Sequence, residues 1–247
     1  MLMVELKENE RIDDLEIRGF RIIQNPLYFC FGCDAVLLSD FARPRKRDRV
    51  MDLCTGTGIV PILMAAKEKG SSFEAIEINT YMAEMAGRSA ALNEISDTLH
   101  VTEGDIRNIK ELYKNDSFDY LTVNPPYIKE NSGLLNPDDA INVARHEMML
   151  SLKDVIKAAS YLLKSRGGFA MVHKPFRLPE IIYIMKQHKI EPKRLRMVQP
   201  KAGAEPTMML IEGVKDGGEF MKVEPPLIMY EEDGSYTEEV LRIYGKM

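Results

Sequence analysis

Asn124-Pro125-Pro126-Tyr127 is the segment of this 247-residue sequence whose side chains are best suited to chemistry. Two consecutive prolines fix the backbone, so that carbonyls point in set directions without competing amide donors. Asn124 adds an amide oxygen and Tyr127 a flat face. This set suits a planar NH2 group. An exocyclic amine conjugated to a purine ring is a poor nucleophile, because its lone pair is delocalised into the ring. Accepting hydrogen bonds from its two protons, at the Asn124 side chain and the Pro125 carbonyl, localises that pair and stabilises the charge that develops in the transition state. Tyr127 would stack on the base, which must leave its helix or loop to arrive there. Such a mechanism requires no metal, no cysteine nucleophile and no strong base. Stripped of context, the same four residues would be only a rigid turn after a strand.

The context is a glycine-rich turn upstream. Val50-Met51-Asp52-Leu53-Cys54-Thr55-Gly56-Thr57-Gly58-Ile59 places two glycines where an apolar strand gives way to a helical pattern, which lets the backbone turn tightly and a ligand approach it closely. Glu77 ends the next apolar run about 20 residues on, where a carboxylate can accept from both hydroxyls of a ribose. The turn and Glu77 alone fit either a dinucleotide or S-adenosyl-L-methionine. Two details favour the latter. Pro61 stands in place of the third glycine of the dinucleotide fingerprint, and Asp52 precedes the turn, where its carboxylate could hold the cofactor's ammonium group or merely tie down loop backbone. The expected cofactor set is Asp52, Cys54, Thr55, Gly56, Gly58, Glu77, Asp105 and Asn124. Asp105 follows the third strand, as an acceptor for the adenine amino group or as a helix N-cap after Gly104.

Apolar runs and helical spacings alternate along the chain, a pattern that favours a mostly parallel sheet covered on both faces. The expected strands are Val50–Cys54, Phe73–Ile78, Leu99–Thr102, Phe118–Val123, Gly168–His173, Leu195–Val198 and Thr207–Gly213. Helices are expected over Ile59–Glu68, Tyr81–Asn93, Leu152–Leu163 and Pro179–His188, with Gly70-Ser71, Gly167-Gly168 and Pro175 as breakers. No helix is evident between the last two strands, which reads as a terminal hairpin and departs from a six-stranded nucleotide fold. Residues 1–44 read as an extension packed on the core, with a short apolar helix over Cys33–Ala42. Residues 45–247 read as the catalytic domain with a C-terminal tail.

On these motifs the chain resembles the class I amino-methyltransferases that carry an Asn-Pro-Pro-Tyr signature, from about Arg49 to Val214. The resemblance implies a Rossmann-like α/β sheet of seven strands with helices on both faces, and S-adenosyl-L-methionine as cofactor. Within that class it is similar to the bacterial tRNA1(Val) adenine-37 N6-methyltransferases. The similarity lies in Phe29–Ala42, Ala144-Arg145-His146-Glu147, Pro225-Pro226-Leu227-Ile228 and Gly234-Ser235-Tyr236-Thr237. It implies a tRNA substrate modified on the adenine beside the anticodon. Cys54 departs from the glycine common at its position.

Composition narrows the partners. A net charge of -5 excludes a protein that coats nucleic acid indiscriminately. RNA contact must then come from local cations: Arg43–Arg49, Lys174 with Arg177, Lys193-Arg194 with Arg196, and Arg145 with His146 after a long loop over Ile128–Val143. Each is equally readable as solvated surface. Three cysteines make no disulfide framework, and Cys30-Phe31-Gly32-Cys33 reads as a chance spacing. His100, His173 and His188 lack partners at metal-ligand spacing. With no export signal and no apolar run near the ~20 residues that span a bilayer, the chain reads as cytoplasmic. Other readings stay open: guanine N2 or a protein glutamine as acceptor, or a nicotinamide oxidoreductase, which leaves Asn124–Tyr127 unexplained.

Overall fold

Helical spacing and alternating apolar runs resolve into a layered α/β fold in a computed structural model that describes residues 4–28, 30–126 and 150–246. A short antiparallel hairpin, β1 (Arg11–Asp14) and β2 (Arg21–Gln24), precedes helix α1 (Cys33–Phe41). The alternating core follows as β3 (Arg49–Leu53), α2 (Ile59–Ala66), β4 (Ser72–Glu77), α3 (Thr80–Leu92), β5 (Leu99–Glu103), α4 (Ile109–Leu112) and β6 (Phe118–Val123). After residue 150 come α5 (Leu152–Leu162), β7 (Leu163–His173), α6 (Leu178–Gln187), β8 (Ile190–Gln199) and β9 (Met208–Lys215). Two-residue strands β10 (Lys222–Val223) and β11 (Leu227–Ile228) and helix α7 (Glu238–Ile243) close the chain.

The main sheet runs β8-β9-β7-β6-β3-β4-β5, with β10 and β11 added along β8. Strands β5, β4, β3, β6 and β7 are parallel neighbours. By contrast β9 runs antiparallel to both β7 and β8. The expected terminal hairpin is present, with its second strand inserted between β7 and the first. The chain winds to one side of β3 through β4 and β5, then to the other through β6 and β7. This makes the carboxyl end of β3 the switch point, where sheets of this kind open a ligand crevice.

Period-two alternation divides the core between the two faces. Val50, Tyr120, Ala170 and Val172 face a cluster shared with α1 and α2. Their neighbours Met51, Leu121, Phe169 and Met171 face one shared with α5 and α6. Leu15, Ile22 and Leu38 from the N-terminal segment, with Val240 and Ile243 of α7, belong to the first cluster. Gly168 lies in the strand it was expected to open, but β7 reaches back to Leu163, so Gly167 lies inside the strand and not in a turn after α5. A Cβ on Gly168 would come 2.4 Å from the Tyr120 ring, so the missing side chain admits an aromatic from the adjacent strand. At the entry to α5, Ser151 and Asp154 close a reciprocal capping box.

Candidate active site

Paired register sets the site geometry. Leu53 lies opposite Ile76 of β4 on one side and Val123 of β6 on the other, so Cys54, Glu77 and Asn124 leave or end three adjacent strands at one edge. Beyond Leu53 the backbone coils into positive φ at Cys54 (55°), Gly56 (58°) and Gly58 (79°). Gly58 is the N-cap of α2, and a Cβ there would meet the Ala86 Cβ at 3.1 Å, so glycine serves both the turn and the packing of α3.

Glu77 latches this turn. Its carboxylate accepts from the Gly56 N–H at 2.9 Å and from the Asn79 N–H at 3.0 Å, with 9% of the residue exposed. Asp52 is buried in β3 and accepts from the Thr122 hydroxyl at 2.6 Å, which ties β3 to β6. Burial pushes its carboxyl up to about 7, against the pull of the Thr122 hydrogen bond. The Thr55 hydroxyl faces the same carboxylate without reaching hydrogen-bond geometry. It and the buried Thr57 hydroxyl have no hydrogen-bond partner, so the turn carries two polar atoms whose desolvation a bound ligand can offset.

Asp105 caps the 3₁₀ turn that follows β5, accepting from the Arg107 N–H at 2.8 Å, and its carboxylate also holds the Arg107 guanidinium. Burial and the charges of Glu77, Asp52 and Asp105 together push the Cys54 thiol well above its usual range, which keeps it protonated. Three carboxylates thus converge on one turn. Their field repels a pyrophosphate and favours a cofactor carrying a sulfonium and an ammonium. The orphaned hydroxyls and this charge make Asp52, Glu77, Asp105 and the turn from Cys54 to Gly58 a fit for S-adenosyl-L-methionine.

Asn124 follows β6 directly, and its side-chain Nδ2 donates to Asp34 Oδ2 of α1 at 3.1 Å. Pro125 and Pro126 continue from it, while Tyr127, the 128–143 loop, Arg145 and His146 lie outside the described residues. Lys174, Phe176 and Arg177 sit in a turn just past β7, at the same edge as Asn124. Phe176 is 59% exposed between the two cations, and Arg177 grips Glu180 at 2.7 and 2.8 Å. His173 beside them is buried, and its Nδ1 accepts from the Lys174 N–H at 2.8 Å. Burial holds its pKa down to about 4, so it is neutral and structural.

The remaining basic segments are not part of this edge. Arg194 is 5% exposed in mid-β8, paired with Glu212 at 2.9 Å and Glu224 at 3.5 Å, bonded to the Phe41 carbonyl and laid over the Phe41 ring. Lys193 donates to the carbonyls of Gly218, Glu219 and Phe220, and Arg196 to Glu239 and the Pro225 carbonyl. This run of cations fastens the tail to the sheet, which removes Lys193 and Arg194 from the RNA-contact set. Arg43–Arg49 precedes β3, at the edge opposite the glycine turn, with Arg49 paired to Glu74 at 3.0 Å. Cys30, Cys33 and Cys54 are free thiols. Sequence reasoning passed over Asp34, Thr57 and Phe176. Thr57 was within the motif as a residue between two glycines, and Phe176 stood between two cations already singled out.

The strand that runs backwards beside β7 separates this sheet from the parallel dinucleotide fold, and with the charge at its switch point defines a class I S-adenosyl-L-methionine-dependent methyltransferase. The chain belongs to the methyltransferase small domain family, whose family model matches residues 32–188. It is 29% identical over 242 residues to a tRNA1(Val) (adenine(37)-N6)-methyltransferase of Porphyromonas gingivalis, covering 94% of this chain and 93% of that one. It is 32% identical to the protein of the same name from Bacteroides fragilis, over 79% and 81%. Among solved structures, a predicted O-methyltransferase from Agrobacterium tumefaciens superposes with a TM-score of 0.69 at 26% identity, over 86% of this chain and 96% of that one. Among the described residues no helix is long and apolar enough to cross a membrane.

The Glu77 latch gives a first test. Glu77→Ala removes the acceptor for the Gly56 N–H and the expected ribose contact together. A hydrogen bond to a charged group contributes about 1.5–3 kcal/mol, so S-adenosyl-L-methionine affinity should fall about 10- to 100-fold by calorimetric titration. Unchanged affinity would refute the assignment.

Proposed function

We propose that this protein methylates N6 of adenine in tRNA, at adenine 37 of tRNA1(Val), in the cytoplasm. The observation that carries the reading is the adjacency of β3 and β6, which brings the glycine turn and Asn124 side by side at the switch point. Names of the relatives support the acceptor, and the protonated Cys54 and neutral His173 agree with chemistry that uses no side-chain nucleophile or base.

The bound cofactor supplies a methyl group activated by its positively charged sulfur. Asn124 Oδ1 and the Pro125 carbonyl would accept hydrogen bonds from the two N6–H groups and so hold the nitrogen pyramidal with its lone pair localised. N6 would carry one surplus proton after accepting the methyl group and would release it to solvent, so no side chain would be needed as a base. Tyr127 stacks on the base. On the tRNA side, Lys174 and Arg177 flank Phe176 at the rim, in the mixture of cation and aromatic that unpaired nucleotides bind. Arg145 is a further candidate phosphate contact.

Two measurements test this proposal. Labelled methyl transfer to unmodified tRNA, followed by nucleoside analysis, should yield N6-methyladenosine with wild type and not with Asn124→Ala. Methylated guanine among the nucleosides, or transfer to protein and none to tRNA, would overturn the acceptor. Lys174→Ala should weaken tRNA binding about 3- to 10-fold and lower the salt slope by roughly one, with cofactor affinity unaltered. An unaltered salt slope would exclude Lys174 from the interface.

A further inference from the structure

The function read above uses one end of the Asn124 amide, and α1 holds the other. A carboxamide has an oxygen that accepts and a nitrogen that donates, nearly equal in size, so rotation by 180° about the last side-chain bond would present a donor to the substrate amine in place of an acceptor. Such an amide is wrong for localising a lone pair. Asp34 Oδ2 lies 3.1 Å from Asn124 Nδ2, and a carboxylate only accepts, so this contact admits one orientation alone. In that orientation Oδ1 is the end of the amide turned away from Asp34.

Asp34 is itself held in place. It sits in the first turn of α1, and its other oxygen accepts from the Ala35 N–H at 2.9 Å. The residue before the helix is Gly32, where a Cβ would come 2.9 Å from Asp34 Oδ1, so a side chain there would push the carboxylate aside. Behind it, Ala35, Val36, Leu37 and Leu38 are buried in the main core, which fixes α1 against the sheet. The carboxylate thus has a rigid base on one side and Asn124 on the other.

We propose that Asp34 is a positioning residue for methyl transfer: it sets the Asn124 amide with Oδ1 toward the amine and, by polarising the Nδ2–H bonds, strengthens Oδ1 as an acceptor. This rests on Asn124 acting on a planar NH2 as described above. It also makes the segment before β3 part of the reaction machinery and not only a cover for the sheet.

The test is a set of steady-state measurements with saturating cofactor on wild type, Asp34→Ala and Asp34→Asn, with cofactor affinity and Tm measured on the same samples. Asp34→Ala should lower kcat about 10- to 100-fold, leaving acceptor KM and cofactor Kd within about threefold. Asp34→Asn keeps an oxygen that can accept from Nδ2 and should recover to within about fivefold of wild type, which a merely structural role would not require. Equal loss in both variants, unchanged kcat in Asp34→Ala, or a loss carried by cofactor Kd would overturn the proposal. Should the alanine variant not fold, Asp34→Asn against Asp34→Leu, similar in size and different in acceptor, makes the same comparison. The variant-to-wild-type ratio is taken on whichever acceptor wild type methylates, so a wrong acceptor and a wrong role for Asp34 give different results.

Discussion

Asn124→Ala is expected to lower kcat for methyl transfer about 100- to 1,000-fold at saturating cofactor, a loss well beyond any that its place in the cofactor set brings to cofactor affinity. The size follows from what the side chain contributes. A preorganised polar group aimed at charge that appears only in the transition state is worth about 2.7–4 kcal/mol when removed from a water-poor site, and Asn124 is half-buried at the end of a buried strand. Its orientation costs nothing at the moment of reaction, because Asp34 and the neighbouring prolines hold it beforehand. Truncation also strands the Asp34 carboxylate without this donor, so a small loss of Tm should accompany the loss of rate. Rapid-quench measurement with bound tRNA separates the chemical step from product release. A decrease below tenfold would remove Asn124 from the chemical step, and one matched by an equal loss of cofactor affinity would mean that it holds the cofactor and does not act on the amine.

The parts of this site legible in the sequence are those whose chemistry is local. The glycine turn, Glu77 and Asn124 each end an apolar run, and a strand end followed by that residue type points to one edge of a sheet without knowledge of any distant partner. Asp34 could not be read that way, because its partner is 90 positions along the chain and the contact exists only once α1 packs on the sheet. Arg194 failed for the same reason in the opposite direction. A run of three cations within four residues looks like surface until Glu212 from β9 and Glu224 from the tail fold over the buried one. Residue type reports charge, and only the fold reports which face that charge meets. Gly167 misled because a glycine pair signals a turn locally, whereas β7 runs through it with the Lys164 and Asp119 carbonyls where a Cβ would stand, and Gly168 makes room for the ring of Tyr120 on the next strand. The hairpin β1–β2, the two-residue strands and α7 are too short to leave a period in the sequence.

The second large effect should come from Asp52→Asn, and its sign reverses between stability and binding. In the folded chain the carboxyl is raised by burial to about 7, above its ordinary 3.8. A group raised on folding adds stability below its unfolded pKa and loses it as pH climbs to the folded one, so the wild type should weaken between about pH 4 and pH 7. At ~1.36 kcal/mol per unit the accumulated penalty is about 4 kcal/mol, an upper figure for a single buried group. An amide at the same position can still accept from the Thr122 hydroxyl and carries no charge to desolvate. Asp52→Asn should therefore match wild type near pH 4 and exceed its Tm at pH 8, a gain that a purely structural carboxylate would have no reason to forgo. Cofactor binding should move the other way. A cationic ammonium beside Asp52 favours the ionised form, so wild-type affinity should rise as pH passes through about 7, whereas the variant should bind about 10- to 100-fold more weakly at pH 8 and lack that rise. Melting curves and cofactor titrations at pH 5, 6.5 and 8 decide both halves. A variant less stable than wild type at pH 8 would show that Asp52 is ionised and satisfied by the protein alone, and an unchanged pH dependence of binding would remove it from the cofactor site.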